Sequence, residues 1–143
     1  MIKKKLAFAW IIFTLTFFYG CIEDSDTSTE DQPKIAIIDA EITEFQYDQE
    51  YNETLFKFNY ELSWVALPSD NEVVKYSIKF IKDSTIYAKW ESIEYLSSES
   101  GSGAGSEDAD IDGIQPIPDR YKVEVYWQNE LVDELEKDYQ KVR

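Results

Sequence analysis

The 143-residue chain contains no histidine, a single cysteine and a single methionine. The absence of histidine removes the Ser-His-Asp triad, the Cys-His pair and the usual histidine-based zinc sites together. Any chemistry would fall to carboxylates, lysine, tyrosine or a bound hard cation. One cysteine excludes a disulfide within the chain. Basic residues are also scarce, with 14 Lys and Arg against 29 Asp and Glu and a net charge of −15. Such a chain repels nucleic acid and anionic lipid surfaces, so neither is an expected partner. Long apolar runs are missing as well. The longest, Leu6 to Tyr19, is 14 residues, against the ~20 that a membrane-spanning helix needs.

What is present at the N-terminus is a processing signal. Lys3, Lys4 and Lys5 precede the apolar run, and Gly20-Cys21 closes it. A positive segment, a short apolar segment and a small residue before the cut make a secretory signal over residues 1–20. Phe18-Tyr19-Gly20-Cys21 resembles a bacterial lipoprotein lipobox, with bulky residues where the family usually carries Leu and a small residue. The resemblance implies cleavage before Cys21, lipidation of Cys21 and anchorage to a membrane outside the cytoplasm. An acylated N-terminus also explains a lone cysteine in an exported chain, where cysteines are otherwise paired. The signal holds three lysines and no acid, so the rest carries 11 basic against 29 acidic residues, a net of −18.

Residues 21–33 comprise the cysteine and a polar, acidic stretch with too little apolar surface for a core, which predicts a disordered tether. Ile22 follows the cysteine where an inner-membrane retention signal would carry Asp. Glu23, Asp24 and Asp26 are similar to the surface-export signals of some Gram-negative lipoproteins, and equally suit a solvated spacer. The expected location is the outer membrane of the cell envelope, with the surface-facing side open.

From Lys34 the pattern has period two. Ile35 to Ile42 reads as a first strand. Phe56, Phe58, Tyr60, Leu62 and Trp64 alternate with Lys57, Asn59, Glu61 and Ser63 in the clearest one. Val74, Tyr76, Ile78 and Phe80 follow after the turn cluster Pro68-Ser69-Asp70-Asn71. Beyond Asp83-Ser84, apolar parity passes from Ile86, Ala88 and Trp90 to Ile93 and Tyr95, which predicts a bulge or bend. Residues 97–106, rich in Gly and Ser, predict a flexible loop whose shortening would cost little. Ile111 to Ile114 and Tyr121 to Trp127 read as strands, Gln128-Asn129-Glu130 as a hairpin turn, and Leu131 to Tyr139 as a strand or a helix, with hairpin context favouring the strand.

About seven short strands and no convincing helix predict an all-β fold, an antiparallel Greek-key β-sandwich over residues 34–143. Ser63-Trp64, Pro68, Asp70 and Tyr76 to Phe80, then Ile111 to Pro116 and Tyr121 to Val125, resemble the fibronectin type III domain, or another immunoglobulin-like sandwich. The resemblance implies that Trp64 and Tyr121 lie buried on facing sheets, with Tyr121 as the corner tyrosine. The Ile117-Pro118-Asp119-Arg120 corner and the Gly/Ser segment depart from that family.

Two groups of residues are candidate sites. Asp108, Asp110, Asp112 and, at the twelfth position, Asp119 match the spacing of an acidic calcium loop around Gly113. Strand alternation offers a plainer account, a solvated edge with Ile111 inward. Tyr87, Trp90 and Tyr95, near the parity change, are candidate stacking platforms for a ligand such as a sugar ring. Trp64 and Trp127 sit on the apolar parity and read as core. Among 29 acids, carboxylate pairs suited to glycosidase chemistry arise by chance and carry no signal. No catalytic constellation and no cofactor other than calcium is indicated. The sequence therefore points to a non-enzymatic binding module, lipid-anchored at the envelope, for a protein or glycan partner. An accessory subunit of an envelope complex is the alternative, ahead of a carboxylate-based hydrolase.

Overall fold

The computed structural model describes residues 34–141. The signal, Cys21 and the tether lie outside the described residues. Seven strands follow one another: β1 (Ile35–Asp48), β2 (Glu53–Trp64), β3 (Glu72–Lys82), β4 (Thr85–Leu96), β5 (Gly101–Asp112), β6 (Arg120–Trp127) and β7 (Glu130–Asp138). Every pairing is antiparallel, and the strands form two sheets, ordered β1-β2-β5 and β4-β3-β6-β7. The segment after Asn129 is thus a strand. No helix occurs among the described residues.

The period-two pattern determines which faces meet. On β2, Phe56, Phe58, Tyr60 and Leu62 are buried, and the residues between them are not. Val74, Tyr76, Ile78 and Phe80 on β3 and Tyr121, Val123 and Val125 on β6 supply the facing layer. Aromatic rings carry much of this core. Phe56 meets Phe80 edge to face at 5.1 Å, and Tyr60 meets Tyr76 at 4.9 Å between centroids.

Two hairpins use two-residue turns. Asp83 and Ser84 both have positive φ (47° and 65°), as do Gln128 and Asn129 (52° and 66°). Two successive left-handed residues match the twist of the flanking strands. Neither turn uses glycine.

Four expectations are corrected here. The Gly/Ser stretch is not a loop from Gly101 onward: Gly101 to Ser106 is the first half of β5. It pairs with β2 without a register shift, from Gly101 against Trp64 to Asp112 against Glu53. The unpaired backbone of a long strand such as β2 demands a partner. The better-patterned residues from Glu107 to Asp112 set a register that carries the glycines with them. Shortening this segment therefore removes ladder pairs instead of trimming a loop.

The parity of β4 does not switch beyond Trp90. Its bulge lies earlier, at Tyr87, between the pairs Ile86–Ile81 and Ala88–Phe80. From Ala88 to Leu96 the pairing with β3 is unbroken. The pleat therefore continues, with Ala88, Trp90, Ser92, Glu94 and Leu96 on the inward side and Ile93 and Tyr95 exposed.

Trp64 is only partly buried, as is Trp127. Trp64 ends β2 at the rim of the sandwich, where its indole Nε1 donates to the Glu99 carbonyl at 2.7 Å. Trp127 ends β6, and its Nε1 donates to Glu72 at 2.9 Å.

Tyr121 is buried on the sheet facing β2 but does not tie down its own corner. Its hydroxyl donates across to the Ala40 carbonyl of β1 at 3.1 Å. The corner is instead held by Tyr87, whose hydroxyl donates to the Pro116 carbonyl at 2.6 Å. The bulge that turns Tyr87 inward makes this contact available.

Candidate functional site

The four aspartates of the calcium motif are not brought together. Asp108, Asp110 and Asp112 stand exposed on alternate positions of β5. Two strand residues span roughly 6.6 Å, whereas a calcium ion draws oxygens to within ~2.6 Å of itself. Asp119 is engaged elsewhere: Lys82 donates to one oxygen at 2.7 Å and the Asp83 amide to the other at 3.0 Å. Those bonds, the Asp83 amide first and Lys82 next, hold the Asp119 carboxyl below its usual range. Among the described residues, no group of three or more acids or thiols is placed to hold a metal ion.

The aromatic platform is dismantled as well. Trp90 turns inward and packs edge to face on Phe56 at 5.5 Å and on Phe58 at 6.2 Å. Tyr87 packs beside Phe80 at 6.3 Å. Burial raises the pKa of the Tyr87 hydroxyl, with the Asp119 charge adding to it. Only Tyr95 of the three is exposed, at 57%.

What the fold assembles instead lies at the edge of β5. A sheet edge presents unpaired N–H and C=O groups and is normally protected by bulges, charges or proline. The other three edge strands are protected in that way. β1 carries two register shifts against β2, at Ile37/Asp39 and Thr43/Gln46. β4 carries the Tyr87 bulge, and Lys89 and Glu91 along its outward face form an ion pair. The β6–β7 ladder shifts at Val125/Tyr126, and β7 bears acids and lysine throughout. β5 differs from all three. It is 12 residues long, pairs only with β2 among the described residues, and shows no shift. Its first half holds no charge, no proline and no large side chain.

Beside this edge, where β4 and β5 approach from opposite sheets, lies a niche of about 150 Å3. Tyr60, Leu62 and Trp64 of β2 form its floor, Glu94 and Leu96 one wall, and Gly103 and Ala104 the other. The Tyr60 hydroxyl donates to Glu94 Oε2 at 2.5 Å, and the Tyr95 amide donates to Glu94 Oε1 at 3.2 Å. The carboxylate is therefore held in place. Burial and the bond to Glu94 push the Tyr60 pKa well above the usual tyrosine range.

The alternate glycines make this geometry possible. A Cβ on Gly105 would overlap the Tyr60 ring, and one on Gly101 would press on the Trp64 indole at 3.3 Å. The sequence did carry a signal for this. Gly101, Gly103 and Gly105 occupy a single parity, which spells a strand with one bare face. Glu94 continues the inward parity of Ala88 and Trp90. The low complexity of the stretch masks the first, and the large exposed Ile93 and Tyr95 mask the second.

No protein-family model matches the sequence, and a comparison with curated proteins returns no match. Among solved structures, a β-glucuronidase from Bacteroides uniformis is similar over 73% of this chain and 14% of its own, with a TM-score of 0.52 and 10% identity. A putative β-galactosidase from Bacteroides fragilis matches 73% of this chain and 17% of its own, with a TM-score of 0.49 and 15% identity. At such identity the first likeness concerns the two-sheet all-β fold alone. The chain spans under a fifth of either enzyme.

Proposed function

We propose that this protein is a non-catalytic, lipid-anchored binding module of the cell envelope, and that it holds a protein partner by adding a strand of that partner to β5. The observation that carries this reading is the contrast among the four edges: three bear bulges, and β5 is straight, bulge-free and bare of side-chain obstruction over Gly101–Ser106. Strand addition draws its affinity from main-chain hydrogen bonds and needs an edge of this kind. Dispersal of the Tyr87–Trp90–Tyr95 platform favours a polypeptide over a glycan as the partner.

The sandwich is of the fibronectin type III-like kind in this reading, which the strand orders β1-β2-β5 and β4-β3-β6-β7 support. The Tyr121 bond to β1 is a departure from that family. Anchorage rests on the signal anatomy and on Cys21 as the lone cysteine. Cys21→Ala should leave an unprocessed or soluble protein, and intact-mass measurement of the wild type should show acyl chains; a free, unmodified N-terminus sinks the anchor.

Adjacent prolines test the edge. Along an antiparallel pair, successive N–H groups point alternately to the partner strand and away from it. Of Gly103→Pro and Ala104→Pro, one removes a bond to β2 and lowers stability. The other removes a donor from the open side, leaves the melting curve nearly unchanged and should abolish partner binding, read by photocrosslinking from position 102 in intact cells. Undiminished crosslinking in both variants refutes strand addition.

A further inference from the structure

We propose that the niche between β4 and β5 receives a cationic side chain, arginine or lysine, from the polypeptide that lies along β5. This rests on the strand-addition reading above and names the chemistry of the partner.

The niche combines aromatic rings with a carboxylate. Tyr60 and Trp64 present ring surface, and Glu94 stands beside them, oriented by the Tyr60 hydroxyl and the Tyr95 amide. A carboxylate has about four lone-pair positions, so these two donors leave room for a guanidinium or ammonium group. Rings attract cations through their quadrupole, and a partly enclosed site strengthens that attraction. A neutral donor can bond the carboxylate but gains neither charge pairing nor attraction to the rings, and an anion is repelled.

The charge of the niche is not neutralised by the fold. Lysines and Arg120 pair with Asp39, Glu91, Asp108, Asp119, Glu124, Glu134 and Glu136. Among the described residues none forms an ion pair with Glu94 or with Glu107, which stands on the inward parity of β5 two residues past Gly105. Below Tyr60, the Tyr76 hydroxyl is fully buried without a hydrogen bond of acceptable geometry, and its close polar neighbour is the Tyr60 hydroxyl. The niche thus has an acidic wall, Glu94, with no cationic partner among the described residues, which a bound cation would supply.

The position of the niche fits a ligand delivered by a strand. Gly101, Gly103 and Gly105 leave its β5 side without side chains, so alternate residues of an added strand would project over its mouth. Farther along the same edge, Asp108, Asp110 and Asp112 stand exposed, with Lys57 3.9 Å from Asp108. They would face further basic residues of the same strand.

The test uses the full chain and three probes: N-acetylarginine methylamide, its lysine counterpart, and the uncharged isostere N-acetylcitrulline methylamide. The readout is the chemical shift of the Trp64 indole and of the Gly103 and Gly105 amides. Either or both cationic probes should give saturable shifts at these signals, with at least tenfold weaker binding of citrulline. Glu94→Gln keeps an acceptor for the Tyr60 hydroxyl, so it should retain the fold and weaken the cation at least tenfold. Equal binding of citrulline, undiminished binding in Glu94→Gln, or no saturable shift with either cation overturns the proposal. The edge variant that loses crosslinking should still bind the cation. Cation binding with crosslinking intact in both proline variants would overturn strand addition alone and leave the niche standing.

Discussion

Replacing Phe58 with alanine should cost about 3–5 kcal/mol, the range for deleting a fully buried aromatic ring. Phe58 is 0% exposed, stacks on Tyr60 at 5.2 Å, and meets Tyr76 at 6.0 Å and Trp90 at 6.2 Å. It therefore joins both sheets and the β4 edge in a single contact. A domain of this size has only ~5–15 kcal/mol in total, so the variant should lie near its unfolding midpoint. Trp64→Ala should cost less, about 1–2 kcal/mol, in the ordinary range for a partly buried site. It loses packing at the rim and the bond to the Glu99 carbonyl. Urea unfolding followed by far-ultraviolet circular dichroism compares the two without relying on tryptophan emission. Equal costs would show that Trp64 belongs to the centre of the core and that β2 is placed wrongly.

The second large effect is expected in alkali. Tyr60, Tyr76 and Tyr121 are all buried, and in each case burial is the main cause that raises the hydroxyl pKa. Glu94 adds to it at Tyr60, and Tyr60 itself adds to it at Tyr76. In the unfolded chain these groups titrate near pH ~10. The folded values lie above the unfolded ones, so the stability these groups contribute is present below pH ~10 and is lost as pH rises beyond it. Each tyrosine contributes a slope of about 1.4 kcal/mol per pH unit while the pH lies between its unfolded and folded values, so Tyr60 and Tyr76 together give about 3 kcal/mol per unit, and Tyr121 adds to this just above pH ~10. The domain should therefore unfold steeply between pH ~10 and pH ~12, with tyrosinate absorbance rising together with loss of structure. Tyr121→Phe removes one titrating group and should make the slope shallower. Smooth ionisation of every tyrosine near pH ~10 with the fold intact would contradict the burial of these three.

Acid should act in the opposite sense on a different set. Lys137 lowers the pKa of Asp39, and Ser98 lowers that of Asp70. At Glu124, burial alone would raise the value, but Lys79, Tyr126 and Lys122 together bring it below the ordinary range. Their contribution is present above the unfolded carboxylate values and is lost as pH falls below ~4. Most of these groups are solvent-exposed pairs, so each is a small effect.

The strands were legible wherever apolar and polar residues alternate, because the pleat places successive side chains on opposite faces. Phe56 to Leu62 and Val74 to Phe80 declared both their conformation and their buried face. β7 was less plain, since Leu131, Leu135 and Tyr139 suit a helix as well as a strand. The hairpin at Gln128-Asn129 settled it by returning the chain beside β6. Gly101 to Ser106 has low strand propensity and hints at a strand only in the single parity of its glycines; its conformation follows from the unpaired edge of β2. Ile93 and Tyr95 misled because large apolar residues on an outer face imitate a parity switch. The unbroken pairing of β4 with β3 keeps them outside.

The same division holds for the site. By itself the sequence determined that histidine chemistry is excluded, that the chain is acidic, and that period-two segments form an all-β fold. These follow from composition and local periodicity, which need no partner strand. Tertiary structure decided the rest. It separated Asp119 from Asp108, Asp110 and Asp112, and it turned Trp90 and Tyr87 into the core. It also brought Glu94 to Tyr60 from 34 residues away in the chain, with three glycines bare beside them. Such contacts depend on which strands meet across the two sheets, a property of long-range pairing that no local pattern encodes.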